Sequence, residues 1–270
     1  MFRNRLNLNF DWFQRKSLDM VGPAPDLPNI LGIGVPRVNN LDMTSRGWEI
    51  QLNWRDVIKD FSYGVTLALS DNTVTIDNYP NDSKSLSTYY AGAKLGDIWG
   101  YETLGIAKTD QEMQDHLASL DKGGQSALGS NWGAGDIMYK DINGDGKIDG
   151  GLNTVLDSGD RKKIGNSTPR YNFGLNLDGA YKGFDLKLFF QGTMKRDYMP
   201  GSGTTIFWGA VGYWQTNFFE PHLDYFRPEG TTSGLGANVN GYYPRPLESG
   251  RNRNAQTRNM QNAAYARFKN

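Results

Sequence analysis

The chain has 270 residues, no cysteine and two histidines, and its 29 Lys and Arg balance its 29 Asp and Glu. The lack of cysteine excludes disulfides, thiol chemistry and thiolate metal sites. Zero net charge argues against a nucleic-acid partner, which needs a basic face, so none is expected. Aromatic residues make up 13% of the chain and 33 residues are Gly. This composition favours twisted sheets and long loops over helices.

The first part of the chain predicts three strands. Its start lacks the continuous apolar core and the small-residue cleavage site of a signal peptide. Instead, apolar and polar residues alternate over about 5–14, again over 47–55 and again over 61–76, and a period of two indicates a strand with one apolar face. Between them, 18–45 holds four prolines. Because proline has no N–H for a sheet ladder, this segment is predicted to be a loop.

From about 78 to 168 the alternation is lost, and the segment is predicted to be a long loop. Within it, 98–107 is typical of a short strand. Residues 109–120 predict a helix, with Thr109 or Asp110 as its cap and apolar residues at helical spacing.

The most regular unit is a predicted hairpin. Apolar and polar residues alternate over 169–181 and over 184–195, and Lys182-Gly183 turns the chain between them. Gly183 supplies the positive φ that a two-residue hairpin turn needs. Strands of about ten residues are long enough to cross a lipid bilayer.

Long and short connections alternate along the chain. After the hairpin, 199–261 is again irregular, and 263–269 begins a final strand. Short turns and long loops in alternation are typical of an outer-membrane barrel, whose long loops are extracellular. Aromatic residues beside the turns and near the loops fit girdles at both membrane interfaces. The predicted fold is therefore all-β: a segment of an antiparallel transmembrane β-barrel, incomplete as a barrel, with long extracellular loops at 18–45, 78–168 and 199–261.

The most specific local motif is DINGDGKID, which starts at residue 141. Oxygen ligands at alternate positions, with a Gly at the sharp turn, match the first nine positions of a calcium loop. Calcium is a hard cation that prefers carboxylate and carbonyl oxygens. The predicted ligands are the side chains of Asp141, Asn143, Asp145 and Asp149 and the backbone carbonyl of Lys147.

The motif departs from an EF-hand at its twelfth position, where Leu152 replaces the bidentate Glu. Asp157 or Asp160 could fold back to supply the missing carboxylate. The simpler alternative is a turn of Asp, Asn and Gly that only resembles a metal loop. The pattern favours a structural calcium ion with no catalytic role.

No other motif predicts catalysis, and the chain is not expected to be an enzyme. His116 and His222 are far apart in the sequence, and each is expected to be a loop side chain rather than a catalytic base. No nucleophile elbow or Walker loop is present. Four tryptophans in the predicted loops fit two roles, stacking on a sugar or partner, or anchoring a loop core: Trp99, Trp132, Trp208 and Trp214.

Several blocks of the sequence resemble the C-terminal part of SusC/RagA-family TonB-linked outer membrane proteins. They are LDMVGPAP, VPRVNNLDMTSRGWEIQLNWRD, FSYGVTLALSDN, GDIWGYETLGI, GDIMYKDINGDGKID, DSGDRKKIGNSTPRYNFGLNLDGAYKGFDLKLFFQG and KRDYMPGSG. The blocks occur in the family's order over essentially the whole chain. In the family, the Asp-rich loop and the IGNSTPRY block lie just before a barrel strand, which corresponds to 136–171 here.

The resemblance implies a large barrel in the cell outer membrane of Gram-negative, Bacteroidetes-type bacteria, filled by an N-terminal plug. It implies a SusD-like surface lipoprotein that covers the extracellular mouth, and nutrient uptake driven by the TonB complex. The substrates that it implies are oligosaccharides, as in glycan import, or peptides, and it implies no hydrolase activity.

The resemblance also implies a longer parent protein. The plug, the segment that contacts TonB and most barrel strands have no counterpart in this chain, so it is expected to be a fragment. Alone it could not close a barrel, and open sheet edges are not tolerated in lipid. Transport is therefore expected of the parent, and the residues that bind substrate are unknown.

Two hypotheses follow. In the first, the chain is part of the wall and extracellular loops of a TonB-dependent importer, in contact with outer-membrane lipid. In the second, it is a secreted soluble β-domain, stabilised by calcium, that binds glycans. The apolar strand faces discriminate between them: they form one outward band in a barrel wall and pack on one another in a soluble sandwich. These faces lie in 48–54, 63–69, 171–177 and 184–190.

Overall fold

The structure is a computed structural model that describes residues 4–22, 37–209, 218–232, 234–248 and 250–269. The chain divides into two compact units. The strand unit consists of Met1–Asp97, Asn166–Asp197 and Asn262–Asn270, and the loop unit consists of Ile98–Gly165 and Tyr198–Gln261. Within the described ranges, no helix is long and apolar enough to span a membrane.

The strands and helices follow in chain order. The strands are β1 (Leu6–Val21), β2 (Asn39–Ile58), β3 (Phe61–Asn78), β4 (Asp97–Tyr101), β5 (Thr103–Ile106), β6 (Ile137–Tyr139), β7 (Arg161–Asn166), β8 (Arg170–Tyr181), β9 (Phe184–Lys195), β10 (Asp197–Tyr198), β11 (Gln261–Asn262) and β12 (Tyr265–Lys269). The helices are α1 (Asp110–Ala118) and α2 (Thr205–Trp208), with 3-10 helices at Ser126–Leu128, Glu220–Leu223, Gly250–Asn252 and Thr257–Asn259.

The strand unit is built on one six-stranded antiparallel sheet in the order β1-β2-β3-β8-β9-β12. The edge strands β1 and β12 do not pair with each other, so the sheet is open. Lys182 and Gly183 have φ of 46° and 89° in the turn between β8 and β9, as a turn with two positive φ values requires. The turn between β2 and β3 is equally short, because β2 continues to Ile58 and β3 starts at Phe61.

The pairing register aligns the apolar positions of all six strands. Since side chains alternate between the two faces of a sheet, residues that are paired directly lie on the same face. One apolar row crosses the whole sheet as Leu8, Leu52, Leu67, Leu175, Phe190 and Phe268. The separate alternating segments of the sequence therefore combine into one continuous apolar face.

This apolar face is exposed. Phe10 and Trp12 on β1 expose 61% and 62% of their surface, and Phe184 on β9 exposes 82%. The apolar faces of the four predicted segments thus lie side by side in one sheet and do not pack on one another. This arrangement does not support the soluble-sandwich hypothesis, which requires these faces to form a closed interior.

The first strands are longer than the alternation predicts. β1 continues to Val21, past its predicted end at 14, and β2 begins at Asn39 rather than at 47. Hydrogen bonding between strands needs only the backbone, so the ladder persists where the side chains no longer alternate in polarity. The predicted loop at 18–45 is correspondingly shorter, and most of its centre lies outside the described residues.

Much of the predicted loops at 78–168 and 199–261 is folded, and it makes up the loop unit. The predicted strand at 98–107 forms two short strands, β4 and β5, separated by Glu102. The predicted helix forms as α1, and the hydroxyl of its N-cap Thr109 accepts a hydrogen bond from the Glu112 N–H at 3.1 Å. The unit has its own buried core, made of Tyr101, Ala107, Met113, Leu120, Trp132, Ile137, Tyr139 and Ile148.

Candidate functional site

The predicted calcium loop follows β6 and is closed by its own side chains. The Asp141 carboxylate accepts hydrogen bonds from the N–H groups of Gly144 at 2.6 Å and Gly146 at 2.9 Å. The Asn143 side-chain oxygen accepts from the Asp145 N–H at 3.0 Å. Gly144 and Gly146 have φ of 75° and 79°, which a residue with a side chain adopts only with strain.

One of the two candidate carboxylates folds back on this loop. Asp160 is fully buried, and its oxygens accept from the N–H groups of Ile142 at 2.8 Å and Asp149 at 2.9 Å. Burial raises the pKa of Asp160 above its ordinary value, against the effect of these hydrogen bonds. Asp157 instead accepts from the Gly159 N–H at 3.4 Å.

The Lys147 ammonium supplies a positive charge to the loop. It lies 2.5 Å from a carboxylate oxygen of Asp149 and 3.9 Å from one of Asp145. The ion pair lowers the pKa of Asp149 and raises the pKa of Lys147. In the part of the chain that the structure describes, no group of three or more His, Cys, Asp or Glu is arranged to hold a metal ion. The predicted ligands thus share one loop without forming a ready cation cage, and calcium stays a prediction.

A buried carboxylate that sequence reasoning missed organises the loop unit. Asp136 is fully buried and accepts hydrogen bonds from Arg245 Nε at 2.8 Å and Asn252 Nδ2 at 2.8 Å. An Arg251 guanidinium nitrogen lies 3.2 Å from it, and the Gly133 N–H donates to it at 3.0 Å. These contacts tie the segment before β6 to the segment that ends in the 3-10 helix Gly250–Asn252.

Both histidines make local structural contacts, and only His116 lies on a regular helix instead of in a predicted loop segment. His116 lies on α1, and its Nε2 is 3.1 Å from Gln125 Oε1. Burial lowers the pKa of His116. His222 lies in a 3-10 helix, where its Nδ1 accepts from the Phe219 N–H at 3.0 Å while Nε2 lies 3.1 Å from the Phe207 carbonyl.

The loop tryptophans act mainly as anchors. Trp132 and Trp208 are buried, and their indole N–H groups donate to backbone carbonyls of their own segments at 3.0 Å and 2.9 Å. Neither ring is free to stack on a sugar. Trp99 is half-buried, and Trp214 lies outside the described residues.

The second face of the strand-unit sheet is polar and carries many side-chain amides. The Asn53 side-chain oxygen accepts from the Thr66 hydroxyl at 2.8 Å, and that of Asn172 accepts from Thr193 at 2.8 Å. Three neighbouring rows cross this face: Asn7, Asn53, Thr66, Asn176, Phe189 and Lys269; Asn9, Gln51, Ala68, Gly174, Gln191 and Arg267; and Asp11, Glu49, Ser70, Asn172, Thr193 and Tyr265.

Comparison with curated proteins finds TonB-dependent receptors. "TonB-dependent receptor P3" of Formosa agariphila is 26% identical over 284 residues, which cover 100% of this chain and 25% of the relative. "TonB-dependent receptor P39" of the same organism is 23% identical over 218 residues, or 70% of this chain and 20% of the relative. No model of a known protein family matches the chain.

Comparison with solved structures finds the same fold in a peptide transporter. The match to the RagAB peptide transporter covers 99% of this chain and 26% of the transporter chain, with a TM-score of 0.63 and 18% sequence identity. The RagAB peptide importer matches with TM-scores of 0.62 in its "closed-closed" state and 0.59 in its "open-open" state. This chain spans about a quarter of the length of these proteins. As its sequence blocks predict, the chain is similar over its whole length to part of a TonB-dependent receptor and shares the fold of part of the RagAB transporter.

Proposed function

We propose that the chain forms part of the barrel wall and the extracellular loops of a TonB-dependent importer in the outer membrane, and that it carries no enzymatic activity. The observation that carries this proposal is the apolar face of the sheet. It is continuous across six strands and exposed, and its opposite face is polar. Lipid outside and water inside would satisfy both faces at once.

The height of the apolar face supports a membrane location. Along β2 it runs from Trp48 to Ile58, which is about 33 Å at the usual rise of a strand. At a strand tilt of about 40°, this corresponds to about 25 Å, the usual height of the apolar band of a barrel. Asp56 interrupts the band close to the short turn, where it forms an ion pair with Arg5 at 3.0 Å.

Aromatic residues mark both ends of this band. Trp12 pairs directly with Trp48 at one end. At the other end, Phe61 pairs with Tyr181, which pairs with Phe184. Rings that are partly polar prefer the level of the lipid headgroups, so girdles at both ends are expected of a membrane barrel.

Fractionation of cells that express the complete parent gene tests the proposal. The parent should sediment with outer membranes and resist extraction at high salt and high pH. A parent that is soluble and monomeric in the periplasm would contradict a place in the barrel wall.

We propose a SusD-like surface lipoprotein as partner, the TonB complex as energy source through a part of the parent outside this chain, and an oligosaccharide or a peptide as substrate. The support is the resemblance to proteins named TonB-dependent receptors and the shared fold with a peptide importer. The lipoprotein should co-purify with the parent in mild detergent. Uptake should be lost in cells without TonB, and uptake that persists there would contradict the energy source.

We also propose, from the motif alone, that calcium stabilises the loop at 141–149. Hydrogen exchange of the loop amides in the parent should slow on addition of calcium and recover with a chelator. Asp141→Asn should abolish the response, whereas Asp115→Asn, an exposed change on α1, should leave it intact. Equal exchange with and without calcium in the unchanged protein would contradict the calcium proposal.

A further inference from the structure

The apolar face of the strand-unit sheet becomes basic just beyond the directly paired Trp12 and Trp48. Side chains two positions further along each strand lie on the same face. The pairing register places two more rows on this face, which we call the basic rows: Gln14, Arg46 and Thr73; and Lys16, Thr44, Thr75 and Lys94. Cations, hydroxyls and an amide thus replace the apolar side chains at this end of the face.

Three cations of the basic rows are exposed and lack a carboxylate partner. Arg46 Nε donates a hydrogen bond to the neutral Gln14 Oε1 at 2.9 Å. Within the described residues, Lys16, Arg46 and Lys94 form no ion pair. All three residues are exposed. Their charge is therefore open to an anion beside the sheet.

Two carboxylates border the basic rows, and both already have partners. Asp71 is paired with Trp48 across the strands, is almost fully buried, and accepts hydrogen bonds on both oxygens from the Arg170 guanidinium. Asp77 accepts a hydrogen bond from the Thr44 hydroxyl. Arg170 neutralises Asp71, and Asp77 offsets one of the three cations, which leaves a net charge of two positive.

The neighbours of Arg46 within the sheet all belong to this chain. Its strand, β2, lies between β1 and β3 in the sheet order. No strand from elsewhere in the parent pairs beside Arg46, so none supplies a carboxylate from that direction. The basic rows continue the face that is proposed to lie in lipid, whereas a plug inside the barrel would meet the opposite face. Their surroundings in the wall are therefore the lipid headgroups.

The height of the basic rows matches the headgroup layer. Along β2, Arg46 and Thr44 lie two and four residues beyond Trp48, which is about 7 Å and about 14 Å at the usual rise of a strand. At a strand tilt of about 40°, they lie about 5 Å and about 10 Å beyond the aromatic level. The headgroup layer adds about 5–7 Å on each side of the hydrocarbon core. Arg46 lies within it, and the long side chains of Lys16 and Lys94, in the row of Thr44, reach it.

We propose that Lys16, Arg46 and Lys94 bind the phosphate groups of anionic lipids in the outer leaflet of the membrane. The leaflet follows from the strand ends, because the basic rows lie toward the long connection between β1 and β2, which is predicted to be extracellular. Lysine and arginine form charge-assisted hydrogen bonds with phosphate oxygens, and the hydroxyls of Thr73 and Thr75 add donors. This inference rests on the proposed function, because it requires the apolar face to lie in lipid, and it adds a headgroup chemistry that an apolar band alone does not select.

The test uses the purified complete parent in phosphatidylcholine nanodiscs with a trace of photoreactive phosphatidic acid. After irradiation, mass spectrometry measures labelling of the peptides that carry Trp12 and Trp48. Unlabelled phosphatidic acid should suppress this labelling, whereas equal amounts of extra phosphatidylcholine, whose phosphate is capped by choline, or of inorganic phosphate should not. In Lys16→Gln with Arg46→Gln, half-suppression should need roughly tenfold more phosphatidic acid, because each basic residue beside an anionic surface contributes about fivefold.

The matched control carries the same loss of charge on the opposite face. Arg15 pairs with Ser45 and Lys187 pairs with Asp178, and both pairs lie on the polar face. Arg15→Gln with Lys187→Gln should therefore keep the suppression unchanged. Heat-modifiable mobility in gels reports whether each variant is folded, and the suppression series on the unchanged parent tests the inference without any variant.

Three outcomes would overturn the inference while the importer function stands. Equal suppression by phosphatidic acid and phosphatidylcholine would show that the lipid chains alone are recognised. Suppression by inorganic phosphate would show an anion site that needs no lipid. A changed oligomeric state of the Lys16→Gln, Arg46→Gln parent, with unchanged suppression, would assign the cations to a contact with a second copy. Failure of the importer proposal is separate, since the parent would then be absent from the outer membrane.

Discussion

In the strand unit, large apolar side chains are on the outside: Phe10 and Trp12 expose 61% and 62% of their surface. In the loop unit, Ile137 and Tyr139 are fully buried, and apolar side chains gather in one core. Apolar surface is more stable out of water, so the two units require different environments. The sheet needs an apolar medium on one face, whereas the loop unit excludes water by itself.

Polar groups show the complementary difference. In the strand unit they lie along an open face, and many are exposed. In the loop unit, Asp136, Gln125 and Gln256 are fully buried, and each makes hydrogen bonds within the unit. A buried polar group without a hydrogen-bond partner costs free energy. The stability of the loop unit therefore depends on these hydrogen bonds, whereas the sheet needs an apolar environment on one face.

The largest expected effect tests whether the loop unit is held by its buried charges. Asp136→Asn keeps the side-chain volume but leaves Arg245 and Arg251 facing a neutral amide. Removal of one partner from a buried ion pair costs about 3 kcal/mol or more. Hydrogen exchange of the parent should show faster exchange of loop-unit amides and unchanged exchange in the sheet. The exposed change Asp115→Asn should have little effect, and equal exchange in both variants would refute the role of Asp136.

The second prediction tests whether the apolar face of the sheet lies in lipid. Leu52 lies on the apolar face and its neighbour Gln51 lies on the polar face. Arginine at the middle of a lipid-facing band costs about 2–4 kcal/mol, whereas an inward position accepts it. Leu52→Arg should therefore reduce the amount of folded parent in outer membranes, as measured by heat-modifiable mobility in gels, and Gln51→Arg should not. If both variants assemble equally, the apolar face is not in lipid.

The third prediction tests how much the N-cap hydrogen bond of Thr109 stabilises α1. Thr109→Ala removes the N-cap hydrogen bond of α1 and should destabilise the helix by about 1 kcal/mol. Thr109→Ser keeps the hydroxyl and should behave as the unchanged protein. Exchange rates of the α1 amides provide the measurement. Identical rates in the Ala and Ser variants would show that packing alone holds the helix.

The smallest effect concerns pH. Burial holds the pKa of His116 below its ordinary value of 6.5, so the folded state favours the neutral ring. The unfolded chain then binds more protons, and the stability of the loop unit is complete above pH 6.5 and falls as pH drops through the lower folded pKa. Exchange of loop-unit amides, corrected for the intrinsic pH dependence, should quicken between pH 7.5 and 5.5. His116→Gln should remove this change, and its persistence in that variant would assign the change to another group.

Much of the strand unit is predictable from sequence, because strand polarity is encoded locally. Alternation of apolar and polar residues locates β2, β3, β8 and β9, and Lys182-Gly183 identifies the turn between β8 and β9. Pattern alone misses the far ends of β1 and β2, because the four prolines between them predict a loop over the whole of 18–45. The apolar faces were identified, but the pattern alone allowed either an outward band or a closed interior.

The candidate sites divide in a similar way. The loop at 141–149 is visible because its residues are contiguous, and the N-cap Thr109 is visible for the same reason. Asp136 gave no signal, since Arg245 lies 109 residues away and no local pattern marks a carboxylate for burial. The row that joins Gln14, Arg46 and Thr73 is equally hidden, because it depends on register.

By itself, the sequence determined the strand faces, the tight hairpin, the helix start and the resemblance to TonB-dependent receptors. Only the tertiary structure decided that the apolar faces of six strands meet in register and stay exposed, and that the predicted loops build a core and bury a carboxylate. The reason is physical: periodicity reports which side of a strand or helix is apolar, whereas register and long-range ion pairs depend on segments that meet only after the chain has folded.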